Sequence, residues 1–174
     1  MELQEAISLI QADEITRDTK SIWADLGCGR GLFTRALAGI LYAGSTVYAV
    51  DKNISSFKIR SFPSHVIVKT RESDFVHDDL NLESLDGILM ANALHFVRDK
   101  ITFIEKIIPY FRDAPVFLVV EYDSDHPNPW VPYPLSFITL RKLFTELGFS
   151  VVKKINEKKS LFRAGNLYSV LITR

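Results

Sequence analysis

Short apolar runs alternate with helix-spaced apolar positions along most of this chain. Ile22–Asp25, Ser45–Val50, His65–Val68, Asp86–Ala91 and Pro115–Glu121 read as strands: brief, rich in Val, Ile, Leu and Phe, with turn residues around them. Between them the spacing changes to three and four. Leu3, Ala6, Ile7 and Ile10 predict a helix over 2–11, and Phe33, Leu37 and Leu41 one over 31–42. Further helices are predicted over 99–111, with Pro109 in the last turn, and over 135–147, stopped by Gly148. Two last strand-like runs, Phe149–Ile155 and Asn166–Thr173, flank a charged stretch that reads as a loop and predict an antiparallel hairpin. The alternation implies an α/β fold: a mainly parallel sheet, right-handed crossovers, and helices on both faces.

The first strand ends in an acid, Asp25, followed by a loop with glycines at Gly27, Gly29 and Gly31 around Cys28. Roughly twenty positions beyond that loop, the second strand ends in another acid, Asp51, as in nucleotide-cofactor sites of doubly wound domains. Such sheets bind ligands outside the carboxyl ends of their strands, near the reversal of strand order. Asp25, Asp51, Asp74, Asn92 and Tyr122 all stand at or after predicted strand ends. The dinucleotide fingerprint needs G-x-G-x-x-G, but its third glycine position here is Leu32. A carboxylate at Asp25 would also repel a pyrophosphate, while it would attract a cationic amine or sulfonium.

Asp-Leu-Gly-Cys-Gly-Arg-Gly, residues 25–31, resembles motif I of the class I S-adenosylmethionine-dependent methyltransferases. The resemblance spans nearly the whole chain and implies a Rossmann-like seven-stranded sheet in the order 3-2-1-4-5-7-6, with strand 7 antiparallel. It also implies S-adenosylmethionine as cofactor. Gly27, Cys28, Gly29 and Gly31 would let the backbone approach its methionine part, and Asp25 would hold the ammonium group through water or backbone. Asp51 would accept from the ribose hydroxyls, with the stem of Lys52 over one adenine face. Asp74 resembles the adenine-binding acid, with the Phe75 amide donating to the ring and Asp78 and Asp79 as rivals. Asp86-Gly-Ile-Leu-Met-Ala-Asn-Ala-Leu-His-Phe resembles the fourth-strand motif, which would bring the Asn92 backbone to the methionine and sulfonium.

His95 follows, where a neutral imidazole could take a proton from a hydroxyl or amine acceptor. Beyond the fifth strand lies a loop with four prolines between His126 and Leu135, holding Trp130 and Tyr133. Stiff backbone and large aromatics suit a lid or pocket wall, with Tyr122, Asp123 and His126 as further acid–base groups. A rigid connection whose aromatics cover the core is the alternative. His95 and Tyr122 are therefore the candidate catalytic residues, and His95, Tyr122, His126, Trp130 and Tyr133 the candidate acceptor pocket. No [D/N]-P-P-[Y/F/W] follows the fourth strand, which argues against base and glutamine amino-methylation. No Pro-Cys pair suits attack on pyrimidine C5.

The 174 residues suit one domain, 1–174, and 47% apolar content gives it a core. One cysteine allows no internal disulfide, and neither a bilayer-length apolar stretch nor a signal peptide is present, so a cytoplasmic protein is expected. Lys and Arg number 21 and Asp and Glu 21, so no global field favours a polyanion. A local basic cluster, Lys153, Lys154, Lys158, Lys159 and Arg163, reads as a solvated turn. These features favour a small-molecule acceptor, O- or N-nucleophilic, and a monomer or homodimer without metal. A structured RNA acceptor, a non-catalytic S-adenosylmethionine- or adenosine-binding regulator, and a nicotinamide oxidoreductase remain the alternatives.

Overall fold

The most apolar strands lie innermost. The computed structural model describes residues 1–15, 18–57, 62–159 and 166–174. Its single seven-stranded sheet has the order β3-β2-β1-β4-β5-β7-β6, built from β1 (Ile22–Leu26), β2 (Thr46–Asp51), β3 (Ile67–Glu72), β4 (Gly87–Ala91), β5 (Val116–Tyr122), β6 (Val151–Lys159) and β7 (Asn166–Thr173). β1 through β5 pair in parallel; β7 runs antiparallel to both β5 and β6. The chain builds outward from β1 to β3, then returns to place β4 on the other side of β1. That reversal opens a crevice at the carboxyl ends of β1 and β4.

Alternate side chains along each strand enter two cores. Helices α1 (Leu3–Ile10) and α2 (Leu32–Ile40) cover one face, where Leu9, Phe33 and Leu37 meet Trp23, Val47, Leu118 and Val120. Helices α3 (Lys100–Ile107) and α4 (Phe137–Glu146) cover the other, where Phe103, Ile104 and Phe144 meet Leu26, Ile88, Phe117 and Val119. Gly87 opens β4 because Trp23 lies across it: a Cβ there would come 2.4 Å from the indole ring. Ser136 caps α4, its Oγ accepting from the Thr139 N–H at 3.2 Å.

The strand order and the antiparallel β7 agree with expectation; several boundaries do not. β3 begins later than 65–68 and runs on to Glu72, because an edge strand with one side in water carries Lys69, Arg71 and Glu72. The predicted 99–111 helix is α-helical only to Ile107, then tightens into a 3₁₀ turn, Ile108–Tyr110, around Pro109. β6 continues through the charged stretch expected as loop, as far as Lys159. Three of its four lysines are paired: Lys153 with Glu14 at 2.8 Å, Lys154 with Glu157 at 2.8 Å, and Lys158 with Glu5. Arg163 lies outside the described residues. Among those residues no helix is long and apolar enough to cross a membrane.

Candidate cofactor and acceptor site

The glycine loop is stitched to the end of β2. The N–H groups of Gly27 and Cys28 donate to the Val50 carbonyl at 2.8 and 3.0 Å, and the Gly29 N–H donates to Asp51 Oδ2 at 2.8 Å. Gly27 has φ +80°, and a Cβ on it would lie 2.6 Å from the Cβ of Ala93. Only glycine lets the loop after β1 press against the turn after β4. At Gly31, φ +85°, a Cβ would meet the Phe57 ring at 2.8 Å; Phe57 and Phe62 stack with centroids 5.1 Å apart over the start of α2.

Each acid meets a different environment. Asp25 is 1% exposed and faces α2, its Oδ2 accepting from Thr34 Oγ1 at 2.5 Å while its Oδ1 has no partner among the described residues. Burial pushes its carboxyl up to about 7 against the Thr34 hydrogen bond, with the nearby Asp51 charge raising it further. Burial, and the Asp25 and Asp51 charges, likewise push the Cys28 thiol up, so it is no activated nucleophile. Asp51 holds the backbone with one bond per oxygen, from Gly29 and from the Asn53 N–H at 3.1 Å. A carboxylate has about four acceptor positions, so both oxygens can take a further donor. Asp74 is more heavily engaged: Oδ2 pairs with Lys52 at 2.9 Å and His77 at 2.7 Å, and Oδ1 accepts from the Val76 N–H at 3.0 Å. Partial burial pushes its carboxyl up, but those hydrogen bonds and the Lys52 charge outweigh it and bring it to about 2. Asp78, its rival, accepts from Ser73 Oγ and the Asp74 N–H, closing the turn; Asp79 accepts from Tyr110 Oη.

A cleft of about 370 Å³ opens at the strand-order reversal, within the range of small-molecule sites, roughly 300–1,000 Å³. Gly27 and Asp51–Lys52 come from the ends of β1 and β2. Phe75, Val76 and His77 come from beyond β3, and Asn92, Ala93 and Phe96 from beyond β4. Asn92 adopts φ +53°, a left-handed turn that asparagine tolerates, and its Oδ1 is buried with no partner among the described residues. Of the sequence-predicted cofactor residues, Gly27, Asp51, Lys52, Phe75 and Asn92 thus share one wall. Asp25, Cys28, Gly29, Gly31 and Asp74 do not line it.

The candidate acceptor residues divide. His95 is 3% exposed in a 3₁₀ turn, Leu94–Phe96, and its carbonyl accepts from the Tyr133 N–H at 3.0 Å. Tyr122 packs with the core on the α1–α2 face. His126 is exposed, and Trp130 is 73% exposed at the tip of a turn closed by Asn128 and Val131. None of the five lines the cleft, so the expected aromatic wall is not assembled around it. Sequence reading passed over Phe96, Ala93 and Val76, which do line it, and Glu121, which pairs with His95 Nδ1 at 2.7 Å. One signal for Glu121 was available: it is the only charge in β5. Among the described residues no group of three His, Cys, Asp or Glu is arranged to hold a metal ion.

This geometry is shared. Residues 24–111 match the family described as "Methyltransferase domain", and the chain belongs to that family; its sheet is that of the class I S-adenosylmethionine-dependent methyltransferases. A Burkholderia thailandensis 1,6-didemethyltoxoflavin-N1-methyltransferase, solved with 1,6-didemethyltoxoflavin and S-adenosylhomocysteine bound, superposes with TM-score 0.73 at 18% identity, over 99% of this chain and 77% of that one. Magnesium protoporphyrin IX methyltransferase from Synechocystis PCC 6803 with S-adenosylmethionine bound gives 0.69 at 14%, over 99% and 77%. A SAM-dependent methyltransferase from Aquifex aeolicus gives 0.67 at 14%, over 99% and 98%. At such identities these structures share the fold. No curated protein matches the chain.

Proposed function

We propose that residues 1–174 act as one S-adenosylmethionine-dependent methyltransferase unit, transferring methyl to an oxygen or nitrogen of a small molecule. What carries this reading is the convergence of Gly27, Asp51 and Asn92 on one cleft at the strand-order reversal. The residues fit the cofactor: Asp51 has acceptor positions left for a ribose diol, Phe75 and Val76 offer apolar cover for an adenine, and on the same wall the buried Asn92 Oδ1 has no partner among the described residues. When bound, S-adenosylmethionine supplies an electrophilic methyl group, whose sulfur keeps the C–S bonding pair as the acceptor lone pair forms the new bond. The protein's part is to align the acceptor, exclude water, and receive a proton where the acceptor carries one.

A small molecule is favoured over RNA because three of the four lysines of β6 are paired with acids. One observation favours a second reading, binding without turnover: none of the candidate acceptor residues lines the cleft. Incubation with methyl-labelled S-adenosylmethionine, a panel of hydroxyl- and amine-bearing small molecules, and a structured RNA separates these readings. Label in a small-molecule product is expected. Label only in RNA, or cofactor binding with no labelled product, would displace the proposal in favour of its rivals.

A further inference from the structure

Glu121 and His95 form a buried hydrogen-bonded pair beside the cleft. Glu121 closes an otherwise uncharged strand and is 1% exposed. Strand alternation sends Phe117, Val119 and Glu121 to the α3–α4 face, and Val116, Leu118, Val120 and Tyr122 to the other. Glu121 therefore points at the turn after β4, while Tyr122 points away. Its Oε1 accepts from the His95 backbone N–H at 3.1 Å, and its Oε2 meets His95 Nδ1 at 2.7 Å. Three residues earlier the same turn is tied to β5 again, the Asn92 N–H donating to the Val120 carbonyl at 2.8 Å. The imidazole is thus oriented by a rigid strand, and its ring lies 4.3 Å from that of Phe96, which lines the cleft.

An ionised carboxylate only accepts hydrogen bonds, so Oε2 requires a proton on Nδ1 and leaves Nε2 as the basic ring atom. We infer that Glu121 is a positioning residue that fixes His95 in the Nδ1–H tautomer, so that Nε2 takes the proton of a hydroxyl or amine acceptor. This inference rests on the methyl-transfer reading and narrows it to acceptors that are protonated before transfer. The proton passes from the acceptor heteroatom to Nε2 as its lone pair is committed to the new bond, and the resulting imidazolium is stabilised by the Glu121 carboxylate. The other groups facing the pair are Tyr168, directly across from Glu121 on β7, and Lys100 at the start of α3. Burial, then the Glu121 charge, push the Tyr168 hydroxyl up, and the hydroxyl donates to the Leu135 carbonyl, so it stays neutral. Burial lowers Lys100 to about 8 against the pull of Glu121; its Nζ is engaged with the Val97 and Tyr133 carbonyls at 2.8 and 2.9 Å.

A staple that merely held the chain would fix the same tautomer but leave turnover unchanged, so tautomer and rate are read together. Nitrogen-15 NMR of the histidine ring in the whole chain, with S-adenosylhomocysteine added, should show Nδ1 protonated and Nε2 bare at pH 8. Glu121→Gln keeps one oxygen for the His95 N–H but turns an amide donor toward Nδ1, so the proton should move to Nε2. With an acceptor from the labelling screen, kcat should then fall by about 10²-fold or more, the scale of a lost general base, with KM for S-adenosylmethionine unchanged and partial recovery in Glu121→Asp. Nε2–H in the wild type, or a Gln variant that keeps both tautomer and rate, would overturn the inference. Should Glu121→Gln not fold, Glu121→Asp decides: a reduced kcat with KM for S-adenosylmethionine unchanged supports the inference, and a wild-type kcat overturns it. Failure of S-adenosylhomocysteine to bind would remove the underlying reading; the wrong tautomer with binding intact removes only this inference.

Discussion

The two halves of the site are built by different means. Around Gly27, Asp51 and Asn92 the backbone does most of the work: left-handed turns, N–H groups stitched to Val50 and Asp51, and a loop packed so closely that a Cβ on Gly27 would lie 2.6 Å from that of Ala93. Around His95 the decisive contact is a side-chain pair: Glu121 on β5 holds both the imidazole and the His95 N–H, while the Tyr133 backbone N–H in the proline-rich loop meets the His95 carbonyl. A backbone-made site admits few sequences and leaves a spaced motif. A site made of side-chain pairs depends on which strand end happens to face which turn.

The contrast can be broken most severely at Gly27. Gly27→Ala combines a left-handed cost of roughly 1–2 kcal/mol with overpacking against Ala93 of about 1–3 kcal/mol. Denaturant unfolding should show the sum, and S-adenosylmethionine binding should weaken with it; a neutral outcome would mean that the loop is not held as described.

Asp25 gives the next largest effect. Its carboxyl, near 7 in the folded chain against 3.8 ordinarily, stays protonated at pH values where the unfolded chain ionises. Wild-type stability should therefore fall as pH rises from about 4 to about 7 and then level off, by about a few kcal/mol in all. Asp25→Asn should lack this drift, which paired unfolding curves at pH 5 and 8 would reveal. Equal drift in both chains would contradict the buried-acid assignment. A cationic ligand should draw that proton off, so calorimetry in buffers of different ionisation heat should detect proton release on binding near pH 6.

Trp130 sharpens the contrast from the other side. At 73% exposed, Trp130→Ala should change stability by no more than about 0.5 kcal/mol. A loss of several times that would show the loop to be part of the core.

The sequence was most readable where periodicity and glycine spacing coincide. β1, β2, β4 and β5 lie in the interior of the sheet and carry uninterrupted apolar runs, so their positions and the Asp51 site were recognisable. β3 and the far half of β6 were cut short because edge strands alternate with water and carry lysines, which an apolar-run criterion reads as loop. Tyr122 stands in the sequence as an acid–base group at a strand end, while its neighbour Glu121 is the residue that meets His95. Only the parity of the strand shows which of two neighbours reaches His95. Asp74 was read by position alone; its bonds to Lys52, His77 and Val76 arise from a turn that no spacing encodes.

The central claim, that the backbone-built half is an S-adenosylmethionine site hinged on Asp51, is tested most directly by calorimetric titration. S-adenosylmethionine, S-adenosylhomocysteine and NAD would each be titrated into the wild type and into Asp51→Ala. The account predicts binding of both sulfur compounds and not of NAD. It also predicts a loss of about 10²-fold or more in the variant, the scale of two hydrogen bonds to a charged acceptor. Binding of NAD alone, or sulfur-compound affinity unchanged in Asp51→Ala, would contradict it.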